Sequence, residues 1–416
     1  MLSTLKKLGP GLLFAGAAIG VSHLVQSTRA GANFGFGLLW ALLLVNLFKY
    51  PFFQYGPRYA MATGESLIDG YKRLGKSVLI AYFLLTFATM YTIQTAVTIV
   101  TASLASHVLF EFQPLNIGSL SVTSVQIWTV ILLGICTTIL VLGRYKLLDR
   151  LMKVIVLTLT VTTIIAVIAS GVNSESTISF SQVFPEKSSW VFLIAFMGWM
   201  PAPLDISIWH SLWSIEKHKD NKDFDTKTAL FDFNIGYVTT LILGLGFLTL
   251  GALVFYNSEE TLSTTASGFS SQLIQMYTDS LGNWAYAIIG VAALTTMFST
   301  TLTTFDASPR VMERTTSILS NSKLSKSYNI WLATLFLGTL IIFFFLSAEL
   351  GTLVKTATVL SFLTAPFYAI VNYKLMSSNH VPKQWRPKMS MHILSWLGII
   401  FLIGFGVWYA IVLRSF

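Results

Sequence analysis

Long apolar runs separated by short polar segments alternate along nearly the whole chain. A transmembrane helix needs about 20 predominantly apolar residues, and eleven runs approach or exceed that length. They fall at residues 10–30, 36–56, 78–108, 126–143, 151–171, 189–213, 232–255, 282–306, 329–347, 350–373 and 391–413. The pattern predicts an all-α integral membrane protein with eleven transmembrane helices, called spans 1 to 11 below.

The order of the eleven runs allows two five-helix halves of opposite orientation, followed by one extra helix. We therefore predict one transmembrane domain over residues 1–416, with inverted repeats at about 8–172 and 186–374 and the extra helix at about 391–413. In such an arrangement spans 1 and 6 are symmetry partners that cross the membrane in opposite directions.

Spans 1 and 6 both contain residues that weaken a helix near mid-membrane. Residues 16–23 of span 1 include two glycines and a serine, and residues 198–203 of span 6 include a glycine and two prolines. Proline removes a backbone donor and clashes with the preceding turn. Matched interruptions are typical of the central site of a secondary transporter, although kinks that serve packing are the alternative. We predict that the helices unwind at about 20–23 and 200–203.

The composition agrees with a membrane protein. Hydrophobic residues make up 54% of the chain and charged residues 11%, with a mean hydropathy of +0.69, whereas soluble domains are about 25% charged. The spans leave no room for a soluble catalytic domain, and no phosphate loop, zinc spacing or nucleophile–base pattern stands out. The single cysteine, Cys136, allows no intramolecular disulfide. We therefore do not expect an enzyme.

The net charge of +9 is a topology signal. With the N-terminus inside, 22 of the 27 Lys and Arg residues fall in predicted cytoplasmic segments, and only Lys187 and Arg414 fall in outside segments. The positive-inside rule requires this asymmetry. It predicts a multi-pass protein of the cell (plasma) membrane with a cytoplasmic N-terminus and an external C-terminus. We expect no cleavable signal peptide and no nucleic-acid partner.

Two polar segments between the spans need an interpretation of their own. Residues 214–230 alternate in charge and are predicted to form a solvated cytoplasmic helix or loop, with a partner-docking role as the weaker alternative. Residues 256–280 are rich in Ser and Thr and include two glutamates. This composition predicts an outer loop.

Several segments of the first half carry a family resemblance. GPGLLFAGAAIG, AGANFGFGLLWALLLVNL and PRYAMATGESL resemble the first two spans of the Nramp family of metal transporters. GRYKLLDRLMK resembles the segment between spans 4 and 5 of that family, and Met200-Pro201 resembles the start of its span 6 motif. The resemblance implies the LeuT-like fold with helices 1 and 6 broken, in agreement with the five-plus-five arrangement.

The chain departs from the family at the metal site. Where the family carries Asp-Pro-Gly-Asn in span 1, this chain has Gly20, Val21, Ser22 and His23. Where the family carries Met-Pro-His-Asn in span 6, this chain has Met200, Pro201, Ala202 and Pro203. Hard divalent cations are bound poorly without a carboxylate, whereas His23 and Met200 could still bind a softer metal.

The loss of the acidic residue makes the break in span 1 suitable for an anion. Half-helix N-termini and backbone amides attract negative charge, and Ser22 and His23 add donors. Arg29, two turns farther toward the outer face, would either attract the anion or reach the headgroups. The predicted substrate-binding residues are Gly20, Val21, Ser22, His23, Met200, Pro201, Ala202 and Arg29.

Span 8 carries an unusual run of hydroxyl side chains. In LeuT-fold transporters, hydroxyls of span 8 and carbonyls of span 1 hold a sodium ion together, so the resemblance implies a sodium site here. The candidates at helical spacing are Thr296, Ser299, Thr300 and Thr303. Bringing an anion into a cell that is negative inside costs about 2.3 kcal/mol per charge at 100 mV. We therefore expect Na⁺ as the coupling ion and no other cofactor.

Few charged residues lie inside the predicted spans. Asp205 and Asp306 could carry protons or pair with loop cations, and for Asp306 we expect a pair with Arg310. Lys355 would either reach the outer headgroups or pair with Glu349. His210, in the inner half of span 6, is expected to be structural.

The predicted function is uptake of a small inorganic anion coupled to sodium. Bicarbonate is implied by resemblance to Nramp-related proteins that have exchanged the metal site for bicarbonate transport. The alternative is a proton-coupled divalent metal ion (Mn/Fe/Mg-type) transporter with a degenerate site. A non-transporting membrane sensor or partner subunit is a further possibility from another class. The expected partners are the ion and the lipid bilayer, and the protein is expected to be a monomer.

Overall fold

The computed structural model describes residues 9–117, 120–142, 145–173, 179–256, 262–263, 266–320, 327–346 and 350–413. The described part is almost entirely helical. The first helices are α1 (Pro10–Ala18), α2 (Thr28–Phe34), α3 (Leu39–Thr63), α4 (Leu67–Leu74), α5 (Lys76–Val108), α6 (Ser124–Val141) and α7 (Tyr145–Asn173). The others are α8 (Trp190–Trp199), α9 (Ile206–Asp220), α10 (Thr226–Val254), α11 (Ala266–Leu281), α12 (Ala285–Ser320), α13 (Ser327–Ile341), α14 (Leu350–Met376) and α15 (Met389–Leu413).

Shorter elements complete the described chain. A π-helical segment, Ser22–Ser27, precedes α2, and another, Ile342–Leu346, follows α13. Strands β1 (Leu115–Ile117) and β2 (Leu120–Val122) form an antiparallel hairpin between α5 and α6. Two 3₁₀ turns, at Lys187–Ser189 and Lys383–Trp385, lead into α8 and α15.

The helices follow the predicted spans closely. Span 1 corresponds to α1, the first π-helical segment and α2, and span 6 corresponds to α8 and α9. Among the described residues, seven helices are long and apolar enough to cross a membrane, or eight if α1 and the bent segment after it count as one span. The protein is therefore a multi-pass helical membrane protein. The count of eleven crossings and the five-plus-five repeat stay predictions.

The predicted outer loop at 256–280 is wrong over much of its length, because residues Ala266–Leu281 form α11. Its buried side chains include Phe269, Leu273, Ile274 and Tyr277. Their spacing of four, one and three places them on one helical face. The intervening Ser, Thr and Gln residues lower the mean hydropathy and hide this face from a search for apolar runs.

Helix α10 packs against both halves of span 1 at very short distance. A Cβ atom on Gly11 of α1 would lie 2.1 Å from the carbonyl oxygen of Asp232, and one on Gly31 of α2 would lie 2.0 Å from that of Leu248. Only glycine permits such close backbone approach. Asp232 also accepts hydrogen bonds from the backbone N–H groups of Gly9, at 3.0 Å, and Gly11, at 2.7 Å. The carboxylate thereby fixes the first turn of α1 to α10.

Candidate functional site

The interruption in span 1 leaves backbone carbonyl groups that a hydroxyl of α12 contacts. Helix α1 ends at Ala18, and the helix that resumes at Ser22 is bent by 47° from it. The Thr300 hydroxyl lies 3.0 Å from the carbonyl oxygen of Gly16 and 3.2 Å from that of Ile19. A hydroxyl has a single hydrogen to donate, so it cannot satisfy both carbonyls at once.

The interruption in span 6 is contacted by a charged side chain. Helix α8 ends at Trp199 and α9 begins at Ile206. Lys49 of α3 is fully buried, and its ammonium group donates to the carbonyl oxygens at this end of α8. The Nζ–O distances are 2.7 Å to Met197, 2.7 Å to Gly198, 3.0 Å to Met200 and 3.3 Å to Ala202. We call these four carbonyl groups the carbonyl cage.

Burial disfavours the charged form of Lys49, and the position of its ammonium group opposes this effect. The C-terminal end of a helix carries partial negative charge, and the ammonium group lies at such an end, with Asp205 in the same interruption of span 6. Asp205 is itself buried, and its Oδ1 atom has no hydrogen-bond partner in the described part of the chain. The sequence analysis overlooked Lys49. Its signal was available, since a lysine in the middle of a predicted span is a candidate functional residue.

The two interruptions are in contact through Ser22. Its hydroxyl lies 2.7 Å from the Ala18 carbonyl oxygen, 3.3 Å from the Pro201 carbonyl oxygen and 2.6 Å from Nδ1 of His23. Nε2 of His23 lies 3.0 Å from the carbonyl oxygen of Thr240 in α10. Nδ1 of the same ring lies 3.1 Å from the Ala18 carbonyl oxygen, so each ring nitrogen faces a carbonyl group that can only accept a hydrogen bond. His23 therefore bridges the break in span 1 and α10.

A small cavity of about 20 Å³ lies between the interruptions. Its wall is formed by Ala17, Ala18, Gly20, Val21, Ser22, Ile93, Val97, Trp199, Pro203, Ile206, Trp209, Thr300 and Thr304. None of these wall residues carries a formal charge. The volume suffices for about one water-sized molecule. A polyatomic ion would therefore enter only when neighbouring side chains or helices move.

The cavity brings together only part of the predicted substrate-binding set. Gly20, Val21 and Ser22 lie on its wall, whereas His23, Met200, Pro201, Ala202 and Arg29 are not among the wall residues. The Arg29 guanidinium donates to the Ser263 carbonyl oxygen at 2.9 Å, and its Cζ atom lies 5.3 Å from the ring centroid of Phe269. Arg29 thus contacts the segment around α11.

The proposed metal ligands also point to other partners. Both ring nitrogens of His23 have hydrogen-bonding neighbours, and Met200 Sδ lies 3.4 Å from the position a Cβ atom of Gly244 would take. Met200 therefore packs against α10. Within the described ranges, no group of three or more His, Cys, Asp or Glu residues is placed to hold a metal ion.

The span 8 hydroxyl groups differ in what they contact. Thr296 donates to the Ala292 carbonyl oxygen at 2.7 Å and Thr303 to the Ser299 carbonyl oxygen at 2.8 Å, both within α12. The Thr300 hydroxyl lies 3.2 Å from the Thr296 carbonyl oxygen within α12 and, unlike the other two, also contacts span 1. A further hydroxyl, that of Thr304, donates to Oε1 of Gln94 in α5 at 2.8 Å. The sequence analysis overlooked Gln94, which stands out as an amide inside span 3.

Three other predicted residues lie away from the cavity wall. Asp306 pairs with Arg310, its expected partner, at 2.6 Å and accepts a hydrogen bond from Tyr328 at 2.7 Å. Lys355 is exposed on α14, and Glu349, its expected partner, lies outside the described residues. His210 is buried, and its ring is stacked 5.7 Å from that of Phe14.

Comparison with known proteins shows which family the chain matches. The family described as "Natural resistance-associated macrophage protein-like" (Nramp) matches residues 11–412. An uncharacterized protein of Pasteurella multocida is 37% identical over 406 residues, which cover 96% of this chain and 90% of that protein. The divalent metal cation transporter MntH of Staphylococcus saprophyticus is 24% identical over 408 residues, 95% of this chain and 89% of the relative.

Solved structures show the same fold at low identity. The crystal structure of a mutant of the manganese transporter from Eremococcus coleocola matches with a TM-score of 0.73 and 15% identity. The match covers 97% of this chain and 85% of that one. The likeness confirms the nearly all-helical, LeuT-like fold that the sequence resemblance implied.

Proposed function

This chain belongs to the Nramp family, and on that basis we propose that it is a secondary active transporter of a small inorganic ion. Members of the family are transporters, which agrees with the expectation that the protein is not an enzyme. The proposed site is the cavity between the interruptions of spans 1 and 6. Interrupted helices near mid-membrane hold the substrate in many secondary transporters.

The names of the relatives favour a divalent metal ion as substrate, whereas the chemistry of the site favours a small anion. The names of the Staphylococcus and Eremococcus proteins support a divalent metal ion, the alternative of the sequence analysis. Neither name mentions bicarbonate, so the relatives give the anion no support. The cavity volume of about 20 Å³ also suits a single-atom ion better than a polyatomic one. Divalent metal transport is therefore the second candidate.

A small anion is the substrate class that the chemistry of the site supports best. The observation that carries this proposal is the Lys49 ammonium group within the carbonyl cage. The ammonium already takes up carbonyl oxygen atoms that a metal ion could use. The uncharged cavity wall offers no carboxylate, the ligand that hard divalent ions prefer.

Bicarbonate is the candidate anion because it is small, planar and singly charged, and the cavity must widen before it can enter. Backbone amides at the start of the helix after Ala18 and the Ser22 hydroxyl are donors of the kind that an oxyanion needs. Sodium is the proposed coupling ion, since Thr300 and the carbonyl groups of Gly16 and Ile19 supply neutral oxygen atoms at a helix break. Neutral oxygens of this kind are suited to Na⁺.

Reconstitution into proteoliposomes tests the two candidates in one experiment. Dyes for internal pH and for divalent metals are read in parallel while bicarbonate, Mn²⁺ and Na⁺ gradients are applied. We expect an internal alkalinisation that needs both bicarbonate and Na⁺, with no metal signal. A metal signal that follows a proton gradient, without a bicarbonate effect, would establish the second candidate instead.

We further propose that the N-terminus is cytoplasmic and the C-terminus external, as the distribution of basic residues indicates. The native Cys136 is buried, so a single introduced cysteine can report sidedness against a low background. Lys222→Cys and Glu186→Cys replace exposed residues on the two proposed sides. An impermeant external thiol reagent should label the second variant in intact cells and leave the first unlabelled. The opposite result would invert the topology.

A further inference from the structure

We infer that Lys49 is a built-in occupant of a cation site formed by the carbonyl cage, and that it determines which sign of charge the transporter accepts. The second half of this inference rests on the proposed transport function. The first half concerns binding alone and can be tested without transport.

The carbonyl cage has the chemistry of a cation site. Four carbonyl oxygens, two from the last turn of α8 and two from the interruption after it, lie within 3.3 Å of one atom, Nζ of Lys49. Carbonyl groups at the C-terminal ends of half-helices bind cations in transporters because the helix dipole adds partial negative charge there. An ammonium group has three hydrogens and no free lone pair. While it stays in the cage, no second cation can share these oxygens.

The position of Lys49 is unlike that of most lysines in membrane helices. Such lysines usually extend toward the headgroups so that the ammonium stays hydrated. Lys49 is instead 0% exposed, and it reaches from span 2 into the break of span 6. The cost of burying its charge is offset by the cage and by Asp205. A residue that packed only to fill space would not need a charge at this place.

Asp205 makes the inference specific. Asp205 lies in the same interruption of span 6 as the cage carbonyl groups of Met200 and Ala202, and its Oδ1 atom lacks a hydrogen-bond partner among the described residues. If the ammonium group is removed, the cage and this carboxylate remain as five or more oxygen atoms without a cation. Carbonyl and carboxylate oxygens are the ligand types that hard cations prefer. Loss of Lys49 should therefore create a cation site.

The test measures metal binding to the full-length protein in detergent by isothermal titration calorimetry, with MnCl₂ and CdCl₂ as probes. The wild type should bind neither probe. Lys49→Met removes the charge and shortens the side chain by one atom, and we expect this variant to bind a probe at least about tenfold more tightly than the weakest Kd that the measurement detects. Lys49→Met/Asp205→Asn should lose that gain. Lys374→Met, which removes an exposed lysine of α14, is the matched control.

Transport assays then test the control of charge sign. Lys49→Arg keeps a positive charge and should retain anion uptake without metal uptake, whereas Lys49→Met should lose anion uptake. If Lys49→Met does not fold, as judged by gel filtration, Lys49→Gln takes its place, since an amide can still donate to two cage carbonyls.

Each outcome has a defined meaning. Metal binding by the wild type overturns the inference, because the cage would then be open despite Lys49. A folded, charge-free variant that binds no more metal than the wild type overturns it as well and leaves Lys49 a structural clamp. Absence of anion uptake by the wild type, together with gained metal binding by Lys49→Met, overturns the proposed anion substrate alone and leaves the occupied cation site intact.

Discussion

The two interrupted spans satisfy their exposed carbonyl groups in different ways. In span 1 a neutral hydroxyl, that of Thr300, contacts the carbonyl oxygens of Gly16 and Ile19. In span 6 a charged ammonium, that of Lys49, contacts four carbonyl oxygens. Both contacts come from a neighbouring helix that is not interrupted at that level. The carbonyl groups left unpaired at the two helix breaks are thus contacted by a neutral group in one span and by a charged group in the other.

The difference between the hydroxyl and the ammonium group determines at which break a cation can bind. A hydroxyl oxygen has lone pairs, so Thr300 can turn its hydrogen away and bind a cation together with the carbonyl groups it now contacts. An ammonium group cannot act as a ligand for a cation. The break in span 1 therefore suits reversible cation binding, and the break in span 6 suits a permanent positive charge. Substitutions that exchange or remove these groups test the comparison directly.

The largest expected effect is on stability, after loss of the charge at span 6. Removing the Lys49 ammonium leaves the buried carbonyl groups of the cage without a donor, which costs about 1–3 kcal/mol. We therefore expect Lys49→Met to lower the free energy of unfolding by an amount of that order, measured by thermal unfolding in detergent. Asp205→Asn in the same chain should recover part of the loss, since the two residues are coupled.

Additive losses in the Lys49 and Asp205 variants would contradict a coupled pair. Added MnCl₂ should also raise the unfolding temperature of Lys49→Met and not that of the wild type, because a ligand that binds only the folded state stabilises it.

The second effect concerns the sign of charge at span 1. A Cβ atom on Gly20 would lie 2.9 Å from Cγ2 of Thr300, so any side chain there displaces that residue slightly. Gly20→Asp adds a negative charge at the cavity wall, and like charges brought together cost several kcal/mol. We expect anion uptake to fall by about a hundredfold or more.

Gly20→Asn is the matched control, since it has the same shape without the charge. Its uptake should exceed that of Gly20→Asp by at least about tenfold. Equal losses in the two variants would mean that the size of the side chain, and not its charge, blocks uptake. In that case the substrate would not be an anion bound at this wall.

The third effect tests the neutral partner of span 1. Thr300→Ala removes the hydroxyl that contacts the span 1 carbonyls, and a neutral hydrogen-bonding group is worth about 1 kcal/mol. The sodium concentration for half-maximal uptake should rise by five- to tenfold, roughly the factor this energy implies. Ser299→Ala is expected to weaken sodium dependence too, since Ser299 is one of the span 8 hydroxyl residues at helical spacing.

Thr303→Ala serves as the control for the third effect, because the Thr303 hydroxyl donates within α12. Its sodium dependence should stay within about twofold of the wild type. If uptake by the wild type is unchanged when choline replaces sodium, transport does not depend on sodium. The break in span 1 is then not a sodium site.

The smallest effect is expected outside both interruptions. Arg29 contacts Ser263 and Phe269 and is not on the cavity wall. If it attracts the anion from outside, Arg29→Gln should lower uptake by about twofold at low ionic strength, and less at high ionic strength where charges are screened. A loss that is the same at both ionic strengths would assign Arg29 to packing against α11.

Sequence reasoning pointed to the segments near which α1 ends at Ala18 and α8 ends at Trp199. The predicted unwound residues Ser22 and His23 are helical, however, and sequence reasoning did not identify the groups that contact these ends. Residues 16–23 and 198–203 stood out because Gly and Pro have a backbone consequence that does not depend on the rest of the fold. The groups that Lys49 contacts could not be predicted from the sequence. They are carbonyl groups about 150 positions away along the chain, and a backbone carbonyl has no sequence signature.

The other correct and missed predictions have similar physical reasons. Helical spacing selected four hydroxyls of span 8 as a group, but only the rotation of α12 in the fold decides that Thr300 contacts span 1. The long apolar helices were predictable because each satisfies its own backbone in the bilayer. Helix α11 was missed since its apolar face is interleaved with hydroxyl and amide side chains.

The Asp232 carboxylate has a consequence for the kinetics of the transport cycle. It binds the backbone N–H groups of both Gly9 and Gly11, and these are among the first N–H groups of α1. Any movement that swings the N-terminal end of α1 away from α10 must break both charge-assisted hydrogen bonds together. Separation of these two helices is therefore expected to be a discrete step with its own activation barrier, to which Asp232 contributes.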